Sequence, residues 1–152
     1  MTTHLVDTND LVSLVDPQRP QHHTAQEAAE ALRRQGHELV VCFQNCAEFW
    51  NVATRPIGKN GLGFSINTAA EELSRIERAF ALVPDPPDAY PIWRQLVVNY
   101  RVSGVQVHDA RLVAVMIGNK IARILTFNVS DFARYTGVGI ITVDPSTLRR
   151  QP

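Results

Sequence analysis

The segment from Leu39 to Phe43 is apolar at every position. A half-exposed strand alternates apolar and polar residues, so an unbroken run of this kind belongs to a strand covered on both faces. The stretch from about His108 to Lys120 makes the same demand as a helix. It is apolar nearly all round, which places it at the centre of the fold. His4 to Asp7, Arg123 to Phe127 and Gly139 to Val143 read as further strands.

Helices fill the intervals. Asn9 to Val15 is a short one, ended by Asp16-Pro17. Thr24-Ala25-Gln26-Glu27 reads as a capping box opening a helix through Ala28, Ala29 and Leu32, with Gly36 closing it. A helix over about Gln44 to Arg55 stops at Pro56. Thr68-Ala69-Ala70-Glu71 reads as a second capping box, and Leu73, Ile76 and Phe80 continue its apolar face. Val83 to Pro87 reads as a connector. Trp93, Leu96, Val97 and Tyr100 line one face of the next helix, Val102 to Val107 is a loop around Gly104, and Ser130 to Tyr135 is a short helical turn. Strands alternating with helices imply an α/β fold: a three-layer α/β/α sandwich with a central, mainly parallel sheet. We expect a single domain over residues 1–152, a length sufficient for a real core.

Fifteen basic and fifteen acidic residues leave no net charge, which argues against an indiscriminate polyanion binder. No run of eighteen apolar residues is present, so no membrane span is expected. The opening Met1-Thr2-Thr3-His4-Leu5-Val6-Asp7 lacks a basic leader and a long apolar stretch, so no secretion signal is expected. Cys42 and Cys46 fit a reducing cytoplasm. Their spacing is that of a metal pair with no second pair to complete a zinc site, and both read as structural.

Four acidic residues sit at the margins of buried elements. Asp7 ends the first strand. Glu48 lies within an apolar-rich helix pattern, Asp109 begins the most apolar helix, and Asp131 follows the Arg123–Phe127 strand. Carboxylates so placed are costly unless something pairs with them. Two of them about 5 Å apart repel by roughly 3 kcal/mol at an effective dielectric of about 20. In open parallel sheets, ligands bind beyond the carboxyl ends of strands, where strand order reverses. Asp7 and Asn128 occupy such ends. If the four acids converge, a divalent cation is the simplest way to hold them. Taken singly, Asp7 reads better as a helix cap than as a site residue, Asp109 has the same cap reading, helped by its helix dipole, and Asp131 could cap the turn at Phe132.

The chain resembles PIN-domain proteins, and more closely the VapC-type toxins of bacterial toxin–antitoxin pairs. The resemblance rests on Leu5-Val6-Asp7-Thr8-Asn9, on the block from Glu48 to Pro56, on the block from Ser103 to Ala114, and on the block from Leu125 to Phe132. It implies a parallel sheet ordered 3-2-1-4-5 and a magnesium- or manganese-dependent ribonuclease. It implies Asp7 and Asp109 as direct metal ligands, with Glu48 binding metal or positioning water. The fourth acidic position falls on Asn128, a departure from the common pattern. Asn128 keeps a carbonyl oxygen for a cation, and Asp131 could supply the missing carboxylate. Asp10 is a second departure, since many relatives carry an aliphatic residue there, and it reads best as facing solvent. The resemblance also implies a small antitoxin partner and a homodimer, to which the Trp93–Tyr100 and Leu73–Phe80 helices could contribute.

Several further residues are candidates. Thr8, Asn9 and Thr126 could hold Asp7 or touch the scissile phosphate. Arg55, Lys59 and Arg111 are candidate phosphate contacts, each also readable as a surface charge. The run Gly58-Lys59-Asn60-Gly61-Leu62-Gly63 lacks a Gly-Lys-Ser/Thr ending and follows a helix, so it is no P-loop and reads as a mobile flap. His108 reads as making a structural hydrogen bond, and His22 and His23 as surface loop residues. Three functions compete: a toxin endoribonuclease blocked by an antitoxin, an RNA-processing nuclease without one, and a PIN fold that binds RNA or protein without cutting. Asn128 keeps the third open.

Overall fold

A computed structural model describes residues 2–148. The ends of the expected 1–152 domain, residue 1 and residues 149–152, lie outside the described residues. The order is β1 (Thr3–Val6), α1 (Thr8–Val15), α2 (His22–Arg34), β2 (Glu38–Cys42), α3 (Phe43–Thr54), α4 (Ile66–Ala79), β3 (Ala81–Val83), α5 (Ala89–Asn99), α6 (Val107–Gly118), β4 (Arg123–Leu125), α7 (Val129–Phe132) and β5 (Ile141–Val143). The sheet is ordered β3-β2-β1-β4-β5, and every pairing is parallel.

Period-two alternation along the strands sorts the core into two layers. Leu5, Val40, Cys42 and Ile124 face the layer of α5 and α6, where Leu96, Leu112, Val113 and Met116 are buried. Val6, Leu39, Val41 and Leu125 face the opposite layer of α1 to α4, with Leu11, Leu32, Phe49, Ile76 and Phe80. The three-layer sandwich is as expected. So is the burial of α6, whose Ala110 and Leu112 to Met116 are all inaccessible. Truncating one of its large side chains to alanine would cost ~2–5 kcal/mol.

The chain moves from β1 outward through β2 to β3, then returns to the other side of β1 for β4 and β5. The reversal therefore lies between β1 and β4, and a cleft opens beyond their carboxyl ends.

Local details differ from the sequence reading where tertiary contacts intervene. β3 pairs Ala81, Leu82 and Val83 with Val40, Val41 and Cys42, where only a connector was expected from Val83 onward. It is a short, exposed edge strand with too few residues to carry a pattern. Helix α2 begins at His22 rather than at Thr24, because the His22 ring Nδ1 meets the Ser13 carbonyl at 2.7 Å and ties the turn to α1. His22 is thus a contact between helices, not a free loop residue. Helix α4 is capped by Ser65, whose hydroxyl accepts from Thr68 N–H at 3.1 Å, so Thr68 lies inside it.

The glycine run is not a free flap. Backbone N–H groups of Gly61, Leu62, Gly63 and Phe64 donate to the carbonyls of Pro56, Val52, Arg55 and Ala53. These four bonds fold the segment back onto the end of α3. Cys42 and Cys46 are free thiols, Cys42 buried and Cys46 half-buried. No helix among the described residues is long and apolar enough to cross a membrane.

Candidate active site

Asp7 leaves β1 and enters α1 as its N-cap residue, in extended conformation. Its Oδ1 accepts from Thr8 N–H at 2.8 Å, and its Oδ2 accepts from the Thr126 hydroxyl at 2.8 Å. Asp7 is therefore a cap whose carboxylate also borders the cleft, at 6% exposure. Asp109 and Asp131 are not in the cap positions of α6 and α7, which Gln106 and Asn128 occupy; each acid sits in its helix's first turn. Glu48 comes from α3.

These elements meet at the strand-order reversal. Asp7, Glu48, Asp109 and Asp131 line a single cleft of about 600 Å³, together with Thr8, Asn9, Gln44, Asn51, Arg55, His108, Arg111 and Asn128. All four candidate carboxylates, and Asn128 with them, share one wall-to-wall site. Lys59 is not among the lining residues, whereas Arg55 and Arg111 are.

The charges press on one another. Burial raises the Asp7 carboxyl to about 6; the Thr126 and Thr8 hydrogen bonds pull it down, and Glu48 and Asp131 push it up. Burial likewise raises Asp109 to about 7, reinforced by Asp7, Asp131 and Glu48 and opposed by Arg134. Two neighbouring carboxyls, Asp7 and Asp109, raised by burial into the neutral range in one cleft are the pattern of a functional site.

Asp10 does not face solvent, contrary to expectation. It is 0% exposed, and its Oδ1 accepts from Phe127 N–H at 3.1 Å. Burial and the neighbouring Asp7 raise it to about 8. The period of α1 turns position 10 inward beneath β4, and only the 119-residue-distant packing of β4 beside β1 reveals this.

Thr126 is 0% exposed, so of its two possible roles it performs the holding one. Its hydroxyl also accepts from Asn128 N–H at 2.9 Å, which aligns Asp7 and Asn128 from one oxygen. The Thr8 hydroxyl accepts from Asn45 Nδ2 at 3.2 Å, while Asn9 is exposed at the rim. His108 contributes its backbone carbonyl, which accepts from Gln44 Nε2 at 2.8 Å.

Gln44 escaped the sequence reading. The same Nε2 donates to Glu48 Oε1 at 2.6 Å, so one buried amide joins Glu48 to the start of α6. Its position four residues before Glu48 on a helix was the available signal.

The donor set suits a hard cation. It is made of carboxylate and amide oxygens, the ligands that magnesium and manganese prefer. Among the described residues no three His, Cys, Asp or Glu side chains stand close enough to enclose one ion. Asp7, Asp109 and Asn128 are the residues that could hold it, with Glu48 and Asp131 adding charge.

A family model described as PIN domain matches residues 4–138. Among solved structures, VapBC-1 from nontypeable Haemophilus influenzae is similar at 14% identity and a TM-score of 0.70, over 95% of this chain and 99% of that one. VapC20 from Mycobacterium tuberculosis, a sarcin-ricin loop cleaving toxin, is similar at 18% identity and a TM-score of 0.65, over 93% and 98%. A toxin–antitoxin complex from Klebsiella pneumoniae is similar at 19% identity and a TM-score of 0.60, over 93% and 97%. Among curated proteins none matches significantly.

Proposed function

The chain belongs to the PIN-domain family, and on that premise we propose that it is a metal-dependent endoribonuclease acting as the toxin of a toxin–antitoxin pair. The observation that carries this reading is the convergence of Asp7, Glu48, Asp109 and Asp131, from four separate elements, on one cleft at the strand-order reversal. A merely structural use of these acids would scatter them or pair them with bases. None of the four takes part in an ion pair among the described residues.

Asp7 and Asp109 would hold Mg2+ or Mn2+, and the Asn128 carbonyl oxygen would be a further ligand. When bound, the cation supplies charge neutralisation at the phosphate and acidifies water for attack on phosphorus. Thr126 and Thr8 fix the Asp7 carboxylate. Gln44 fixes Glu48, which orients the water or takes its proton. Asp131 supplies the negative charge that Asn128 lacks. Arg111 and Asn9, at the cleft wall and rim, receive the RNA backbone. The antitoxin assignment draws on the likeness to toxin–antitoxin structures. A homodimer and a cytoplasmic location belong to the same reading.

The test is cleavage of a mixed RNA pool with Mg2+ or Mn2+, beside Asp7→Asn and Asp109→Asn proteins prepared identically. Metal-dependent cleavage lost in both variants supports the nuclease. A folded wild type that cuts nothing with either metal overturns it in favour of a binding role. Growth arrest on expression, relieved by the product of a neighbouring short reading frame, distinguishes the toxin from an RNA-processing enzyme.

A further inference from the structure

Helix α5 carries Tyr90 and Trp93 one turn apart, their ring centroids 6.1 Å apart and their planes inclined by 34°. With Ala89 and Arg111 they enclose a recess of about 360 Å³ whose wall is almost wholly apolar. Arg111 lines both this recess and the acidic cleft, so the two are contiguous. We infer that the recess is a nucleobase subsite, in which an unpaired base of single-stranded RNA stacks on Tyr90 while its backbone crosses the acidic cleft. This rests on the ribonuclease reading and adds how the substrate is gripped.

Three observations favour a base as the occupant. Tyr90 is 68% exposed, an open ring face beside a catalytic cleft. Trp93 is fixed, since its Nε1 donates to the Val107 carbonyl at 3.0 Å, so the wall is preformed. Among the described residues Arg111 meets one acid, Asp85, at 3.8 Å on the surface, which leaves its guanidinium able to cover a base or meet a phosphate. Charge supplies the need. The chain has no net charge and its cleft carries four acids, so phosphate neutralisation offers little affinity for RNA. Stacking on aromatic faces supplies binding that tolerates any base.

The test uses the full chain as Asp7→Asn/Asp109→Asn, which removes cleavage and two of the cleft's four negative charges, combined with Trp50→Phe so that Trp93 is the sole tryptophan. Its fluorescence is followed during titration with a mixed-sequence single-stranded RNA and with polyphosphate, which has no bases. RNA should quench Trp93 and polyphosphate should not. Tyr90→Ala should weaken RNA binding about ten- to a hundred-fold, the loss of one stacked base, and Tyr90→Phe should restore it. Absent quenching, or binding indifferent to Tyr90→Ala, overturns the subsite. So does a Tyr90→Ala protein that binds RNA normally but sediments as a smaller species, which would make the recess a contact between copies. Quenching by RNA in this background, with no cleavage by the wild type in Mg2+ or Mn2+, would sink the nuclease and leave the subsite standing.

Discussion

The Thr126 hydroxyl donates to Asp7 Oδ2 at 2.8 Å, joining residues 119 positions apart in the chain. With Thr8 N–H on the other oxygen, it fixes the carboxylate at both ends. Thr126→Val keeps the shape and removes the donor. Cation affinity should fall about 10–100-fold, as for other groups that orient metal ligands, while Thr126→Ser retains most of it. Calorimetric titration with Mn2+ measures both. Equal affinity for valine and threonine at this position would show that the hydrogen bond does nothing for the site.

Cation binding should compete with protons. Without a cation the Asp7 and Asp109 carboxyls titrate at about 6 and about 7. Affinity for Mn2+ should be level above about pH 8, then decline as pH falls through 7 and 6, with protons released on binding. Titrations in two buffers of different ionisation enthalpy count those protons. Affinity unchanged from pH 8 to 5.5 would contradict this.

Asp10 predicts a stability profile. Its folded carboxyl holds a proton up to about pH 8, against a reference value of 3.8. Between those limits the native state binds a proton that the unfolded chain has lost. Asp10's contribution to stability is therefore full below about pH 4, declines as pH rises, and is gone above about pH 8. In chelator, Asp10→Asn should raise the melting temperature by several degrees at pH 8 and change it little at pH 4. A variant destabilised at pH 8 would mean that the charged form is the one the fold needs.

The folded-back glycine segment makes a steric prediction. A Cβ at Gly61 would overlap the Arg55 carbonyl and carbon, backbone atoms that cannot swing away. Gly61→Ala should cost ~1–3 kcal/mol, the range of overpacking, and loosen the Arg55 side of the cleft. Gly58, with nothing near its added Cβ, should accept alanine with a far smaller effect. Urea unfolding of the two variants compares them directly.

The sheet's general form was legible in the sequence because burial on both faces leaves unbroken apolar runs, as at Leu39 to Cys42, and because α6 is apolar nearly all round from Leu112 on. Strand β3 was not legible. Three edge residues, Ala81 and Leu82 exposed and Val83 half-buried, are too few to carry a pattern, and their pairing is decided by β2 alongside them. Asp7, Glu48, Asp109 and Asp131 could be named as candidates from their places beside apolar elements. Their convergence could not be derived from local pattern, since an acid before a helix has the same local signature whether it caps the helix or serves a site.

Asp10, Thr126 and Gln44 show what only the tertiary structure decided. Each gains its role from a partner on another element: Phe127 N–H for Asp10, Asp7 for Thr126, and the His108 carbonyl for Gln44. Periodicity along the chain determined which segments must be buried, because burial is a property of a face. Which polar groups meet inside was fixed by strand order and helix register. Those are set by long-range packing, and a half-turn rotation of α1 about its axis would have turned Asp10 away from Phe127.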